Sequence, residues 1–231
     1  GYIMTIWRHA YRKKHNVNDP NQADIPVLQG NKVSPKAWSI EQIQVMIEQA
    51  ALTPVRKGFG PRHWQALINL LYYTGLRINA ALLLKRSNLH GHVLIVPPEI
   101  QKDREEMIIR LPTPLVNAIV ALPRPVIDVK GRMLSDMLIP WPWSFDHVQD
   151  KLRDYILLPA GLPNDRKLKF HAFRKTVATV VAAQSGEEAA MQALGHSSIT
   201  MTRRYIADIQ LVAPELDKRV HLVDVMPRLI G

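Results

Sequence analysis

Apolar residues recur at helical spacing through most of this 231-residue chain, and only two short stretches, 92–96 and 107–111, are rich in β-formers. That pattern confines the fold to packed helices around a small sheet, an α+β architecture that is mainly α. Punctuating residues place the ends of the helices. Ile3, Ile6, Trp7 and Ala10 predict a helix over 3–14, closed by Asp19-Pro20, and residues 15–37 read as a linker with scattered prolines. Ser39 opens the next helix, with Gln42 completing a capping box and Ile40, Ile43, Ile47 and Ala51 forming the apolar stripe; Pro54 stops it. Pro61 suits the first turn of a helix whose face is Trp64, Leu67, Ile68 and Leu71, and Gly75 suits its C-terminal cap. A short helix follows through Ala80, Ala81 and Leu84.

The two β-rich stretches flank a charged run, 99–106, and predict a hairpin with charge at its tip. Thr113-Pro114 opens another helix, 123–143 is Pro-rich and irregular, and Ser144 caps a helix through Val148, Leu152 and Ile156. Beyond a basic loop, a helix is expected from about Ala172 to Gln184, ended by Ser185-Gly186. Two short helices flank Gly195-His196, the second carrying Tyr205, and the tail 212–231 is apolar and basic.

Charge narrows the function. Lys and Arg total 30 against 20 Asp and Glu, a net +10, which favours an anionic partner, nucleic acid ahead of a membrane. The absence of cysteine excludes disulfides and thiolate chemistry. No apolar run approaches the ~20 residues that span a bilayer, and no signal-peptide pattern opens the chain, so a cytoplasmic location is expected. There is no Walker A motif, and Gly58-Phe59-Gly60 lacks both a preceding strand and a third glycine. His90 and His92 have no cysteine or carboxylate partner, and no Asp lies between Asp24 and Asp103, so neither a metal site nor a cofactor is expected.

What remains is a set of cations with one phenol. Arg77 follows a helix-ending glycine, His171 and Arg174 stand one turn apart at a helix start, and Tyr205 follows His196 by nine residues. Singly, these residues and Lys102 read as ion-pair partners, structural histidines, a packed aromatic and a solvated charge. Jointly, their order and local sequence carry more. Thr74-Gly75-Leu76-Arg77, His171-Ala172-Phe173-Arg174 and the run from Leu194-Gly195-His196 to Tyr205 closely resemble the motifs of the tyrosine recombinases, the phage integrase family.

The resemblance covers about 36–210, the family's catalytic domain. It implies that residues 1–35 are the end of a preceding core-binding domain with its linker, and that 211–231 form a tail. Activity would be site-specific breakage and rejoining of DNA through a 3′-phosphotyrosine, in a phage or mobile element. The alternatives are a type IB topoisomerase, a telomere resolvase or an inactive DNA-binding relative. Tyr205 would be the nucleophile, His171 its base and Lys102 the acid for the leaving 5′ oxygen. Arg77, Arg174 and His196 would hold the phosphate oxygens. The family usually carries an acidic residue three positions after the first arginine; here that position is Ala80. Arg166, Lys167, Lys169, Lys175, Arg203 and Arg204 surround the motifs and are expected to contact DNA phosphates. The partner would be double-stranded DNA, bound by a homotetramer that is mostly monomeric when free. The tail would dock on the next subunit or, alternatively, on its own domain.

Overall fold

A computed structural model describes residues 2–14, 36–102, 105–124, 126–165, 168–207 and 212. The chain divides into two compact units, 1–33 and 34–231. In the first, the described residues form one helix, α1 (Tyr2–Arg12), close to the expected span; the linker lies outside the described residues.

The second unit is built on α2 (Ile40–Ala51), α3 (Pro61–Thr74), α4 (Ile78–Leu83), α5 (Thr113–Val120), α6 (Val148–Leu152), α7 (Phe170–Leu194) and α8 (Ile199–Arg203), with strands β1 (Leu89–His90), β2 (Val93–Val96) and β3 (Met107–Arg110). The capping box of α2 forms as expected: Ser39 Oγ accepts from the Gln42 backbone N–H at 3.2 Å, and Gln42 Oε1 accepts from the Ser39 N–H at 3.0 Å. Pro54 follows α2 at a short distance, and Pro61 occupies the first turn of α3.

Every residue of α3 from His63 to Tyr72 is buried, and α2, α5 and α7 pack around it. A helix covered on all sides is the centre of its domain, and each fully buried large apolar side chain contributes about 1.5–3 kcal/mol. The main core gathers Trp38, Phe59, Trp64, Phe170 and Phe173 with the aliphatic residues of these helices. His63 pins the start of α3 to the Pro-rich stretch. Its Nδ1 accepts from the Gly60 N–H at 3.3 Å, so Nε2 carries the proton and donates to the Pro123 carbonyl at 3.0 Å. Burial drives its pKa down to about 4 and keeps the ring neutral.

The sheet has one strand more than expected. Its order is β1-β2-β3, antiparallel throughout, with Val93 opposite Arg110 and Val96 opposite Met107. β1 pairs Leu89 with Leu94 and His90 with Val93 across the turn at Gly91-His92, so His92 belongs to the turn and not to the strand. A strand of two residues offers no period for sequence to reveal. The connection from β2 to β3 holds a short turn at Pro98–Ile100 and then Lys102; residues 103–104 lie outside the described residues.

Helix α7 starts at Phe170, two residues before the expected Ala172, and is interrupted at Gly186, whose φ of 88° and ψ of 167° are not helical. The break expected at Ser185-Gly186 is therefore present, and the helical residues up to Leu194 are the short helix expected before Gly195. The second short helix differs: α8 closes at Arg203, and Tyr205 lies in the turn just beyond it. The chain turns there because the Ala207 N–H bonds the buried Thr179 hydroxyl on α7, at 2.8 Å. Of the tail, only Val212 is described, and it is buried; 213–231 lie outside the described residues. Among the described residues no helix is long and apolar enough to cross a membrane.

Candidate active site

Three loops or helix ends meet at the C-terminal end of α3. Gly75 caps that helix in the left-handed conformation, φ 59°. A Cβ there would stand 2.8 Å from Leu194 Cδ2 and 3.3 Å from Val177 Cγ1. Only glycine lets the segment leading to Arg77 lie directly on α7. Arg77 then occupies the N-cap position of α4, half-buried, and Ala80 is buried one turn on.

Arg174 fastens the same junction. Its side chain is 2% exposed. One terminal nitrogen donates to the Gly75 carbonyl at 2.7 Å, and the other donates to the Leu194 carbonyl. A guanidinium has five N–H donors in a fixed plane, so it can bridge two carbonyls and still direct hydrogen bonds elsewhere. One residue thus joins the segment before Arg77, the helix that carries His171 and the segment that leads into His196.

Tyr205 sits over this junction. Its ring centroid is 5.0 Å from that of His171 and 4.7 Å from that of His196, and the Arg174 guanidinium carbon lies 5.8 Å from it. The ring also packs on a small apolar cluster of Val177, Ala178 and Leu194. His196 is buried, with Nδ1 3.0 Å from the Thr202 hydroxyl. Ser198 caps α8, its Oγ accepting from the Met201 N–H at 3.2 Å.

The electrostatics of His171 follow from this crowd. Loss of hydration lowers its pKa first, and the charges of Lys175, Arg174 and Arg77 push it lower still. The ring is therefore held neutral near pH 7 and able to accept a proton. The same coupling places Arg77 close enough for its charge to be felt at the His171 ring.

His171, Arg174, His196 and Tyr205 are thus brought together, with Arg77 near enough for its charge to act on His171. Lys102 is exposed on the connection between β2 and β3. Of the residues expected at DNA, Lys175 is half-buried beside His171, and Lys169 is half-buried at the start of α7, where its carbonyl accepts from Trp38 Nε1. Arg204 is exposed; Arg203 is exposed and pairs with Glu187 at 2.8 Å; Arg166 and Lys167 lie outside the described residues. Thr202 and Thr179 were not singled out from sequence. Both are small buried hydroxyls whose role appears only when the chain that contacts them is in place. Among the described residues no group of three or more His, Asp or Glu side chains could hold a metal ion.

Comparison with known proteins places the chain in a family. The sequence model of the phage integrase family matches residues 55–210. A tyrosine recombinase XerC of Bradyrhizobium diazoefficiens is 31% identical over 153 residues, 61% of this chain and 44% of the relative, so the chain spans less than half of that protein's length. Among solved structures, the XerA recombinase matches with a TM-score of 0.57 at 20% identity, over 91% of this chain and 72% of that one. A lambda integrase tetramer bound to a Holliday junction matches with a TM-score of 0.63 at 18% identity, over 89% of this chain and 57% of that one. These two likenesses are of fold, while the family model covers the residues that carry the motifs. The chain belongs to the phage integrase family, and its larger unit has the tyrosine recombinase catalytic fold.

Proposed function

We propose that the protein is a site-specific DNA recombinase, an integrase of a phage or mobile element, that cuts and rejoins DNA through a 3′-phosphotyrosine at Tyr205. The observation that carries the reading is the seat of Tyr205 against His171, His196 and Arg174, within 5.8 Å by ring and guanidinium centres. A free phenol ionises near pH ~10, so attack at neutral pH needs a base, and the neutral ring of His171 is beside it. Tyr205 Oη forms a bond to phosphorus as the bond to the 5′ oxygen breaks, and Lys102 gives that oxygen its proton. Charge that gathers on the non-bridging oxygens is met by Arg77, Arg174 and His196. One such donor is worth on the order of 3–4 kcal/mol in the barrier. The covalent phosphotyrosine keeps the energy of the broken bond, so rejoining by the reverse attack needs no nucleotide.

DNA is the partner that a net charge of +10 calls for, with Lys169, Lys175, Arg203 and Arg204 positioned around the motifs. A tetramer on DNA is the assembly for exchange between two duplexes; the lambda integrase neighbour is a tetramer on a Holliday junction. The test is a nicked attachment site that traps the covalent product. Wild type should give a denaturation-resistant protein–DNA adduct, and Tyr205→Phe should give none while binding the same DNA with nearly unchanged affinity. An adduct that persists in Tyr205→Phe would refute the assignment. Relaxation of supercoiled DNA without strand exchange would favour a type IB topoisomerase instead.

A further inference from the structure

Thr202 is fully buried on α8, and its hydroxyl has two partners. His196 Nδ1 lies 3.0 Å away, and the carbonyl oxygen of Ser198 lies 3.3 Å away. A hydroxyl has one proton to give, and a carbonyl oxygen can only accept. Both contacts are satisfied together in one arrangement: the hydroxyl donates to Ser198 and accepts from an N–H at Nδ1 of His196. A neutral imidazole carries a single N–H. With that proton on Nδ1, Nε2 presents a lone pair, which repels a phosphate oxygen. The ring can donate through Nε2 only after taking a second proton.

We propose that Thr202 is a positioning residue that fixes a proton on Nδ1 of His196, so that the ring meets the scissile phosphate through Nε2 as a cation and not as a neutral donor. The inference rests on the reading of His196 as a phosphate contact. The groups that face or border the ring set the balance. Tyr205 covers it, and Arg174 and His171 lie against the same phenol. Glu105, Glu106 and Arg110 from the hairpin share with His196 the lining of a cavity of about 530 Å³. The two carboxylates favour the imidazolium and the arginines oppose it, and an anionic phosphate at Nε2 adds to the side of the charged form. A charged donor to phosphate is shorter and roughly twice as strong as a neutral one.

Thr202→Val keeps the shape and removes the hydroxyl; Thr202→Ser keeps the hydroxyl. Two measurements separate positioning from packing. Nitrogen chemical shifts of labelled histidine in the free protein should show the Nδ1–H form of His196 in wild type and Thr202→Ser, and the Nε2–H form in Thr202→Val. Adduct formation at neutral pH should be roughly tenfold slower in Thr202→Val, the difference expected between a charged and a neutral hydrogen bond to the phosphate. Wild type should also slow at high pH as the ring loses its second proton. Thr202→Val, already neutral there, should show a flatter alkaline limb, and Thr202→Ser should keep the wild-type rate and profile. An unchanged Nδ1–H form in Thr202→Val, or Thr202→Ser as slow as Thr202→Val, would overturn the proposal. Absence of any adduct in wild type would sink the recombinase reading, and the nitrogen shifts of the free protein would still decide the role of Thr202.

Discussion

Lys175 follows His171 by one helical turn, and its charge adds to the partial loss of hydration that lowers the pKa of the imidazole. The sign of its effect is fixed. Its positive charge lowers the His171 pKa, so Lys175→Gln lets that pKa rise, and the ring protonates and stops acting as a base at a higher pH. The acid limb of adduct formation should therefore move to higher pH in Lys175→Gln. The comparison is made at saturating protein, so that any lost DNA affinity does not enter, and an unmoved limb would count against His171 as the base. At this scale the sequence was informative because chemistry is local to side chains: two arginines, two histidines and a tyrosine in motif order are visible without a fold. Thr202 was not visible in that way. One threonine among many becomes special only when His196 folds back over α8, across six residues of chain.

Among the elements, the close approach of α3 to α7 depends on Gly75. Alanine there takes both a left-handed backbone and a Cβ 2.8 Å from Leu194. A non-glycine residue in such a conformation costs on the order of 1–2 kcal/mol before any clash. Gly75→Ala should lower the denaturant midpoint and slow adduct formation together, because the displaced segment carries Arg77. Gly91→Ala is the control: it shares the left-handed backbone, φ 58°, with nothing within 4 Å of its Cβ. Equal losses in both variants would mean that strain alone, and not the contact with α7, is at work. Element ends were legible in sequence where a side chain or glycine marks them, as at Ser39, Pro61, Gly75 and Ser185-Gly186. They were not legible at β1, which exists because β2 offers an open edge, or past α8, where Thr179 draws the chain away from helix.

For the molecule as a whole, Arg174 is a structural tie besides being a proposed phosphate donor. It joins residues 99 and 20 positions apart in sequence, through the carbonyls of Gly75 and Leu194. Removing the guanidinium strands two buried acceptors, at about 1–3 kcal/mol each. In a domain of this size each kcal/mol is worth about 2–4 °C in Tm. Arg174→Ala should thus melt several degrees below wild type, where Tyr205→Phe should melt close to it; equal melting points would show that the tie contributes nothing to the fold. That difference governs how such a protein can lose activity over evolutionary time. On the proposed function, a substitution at Tyr205 should leave a stable protein that still occupies its sites, whereas one at Arg174 should weaken the fold that presents them. Lineages that drift from cutting DNA toward merely binding it should therefore part with the tyrosine first and keep the buried arginine long after its chemistry has ceased to matter.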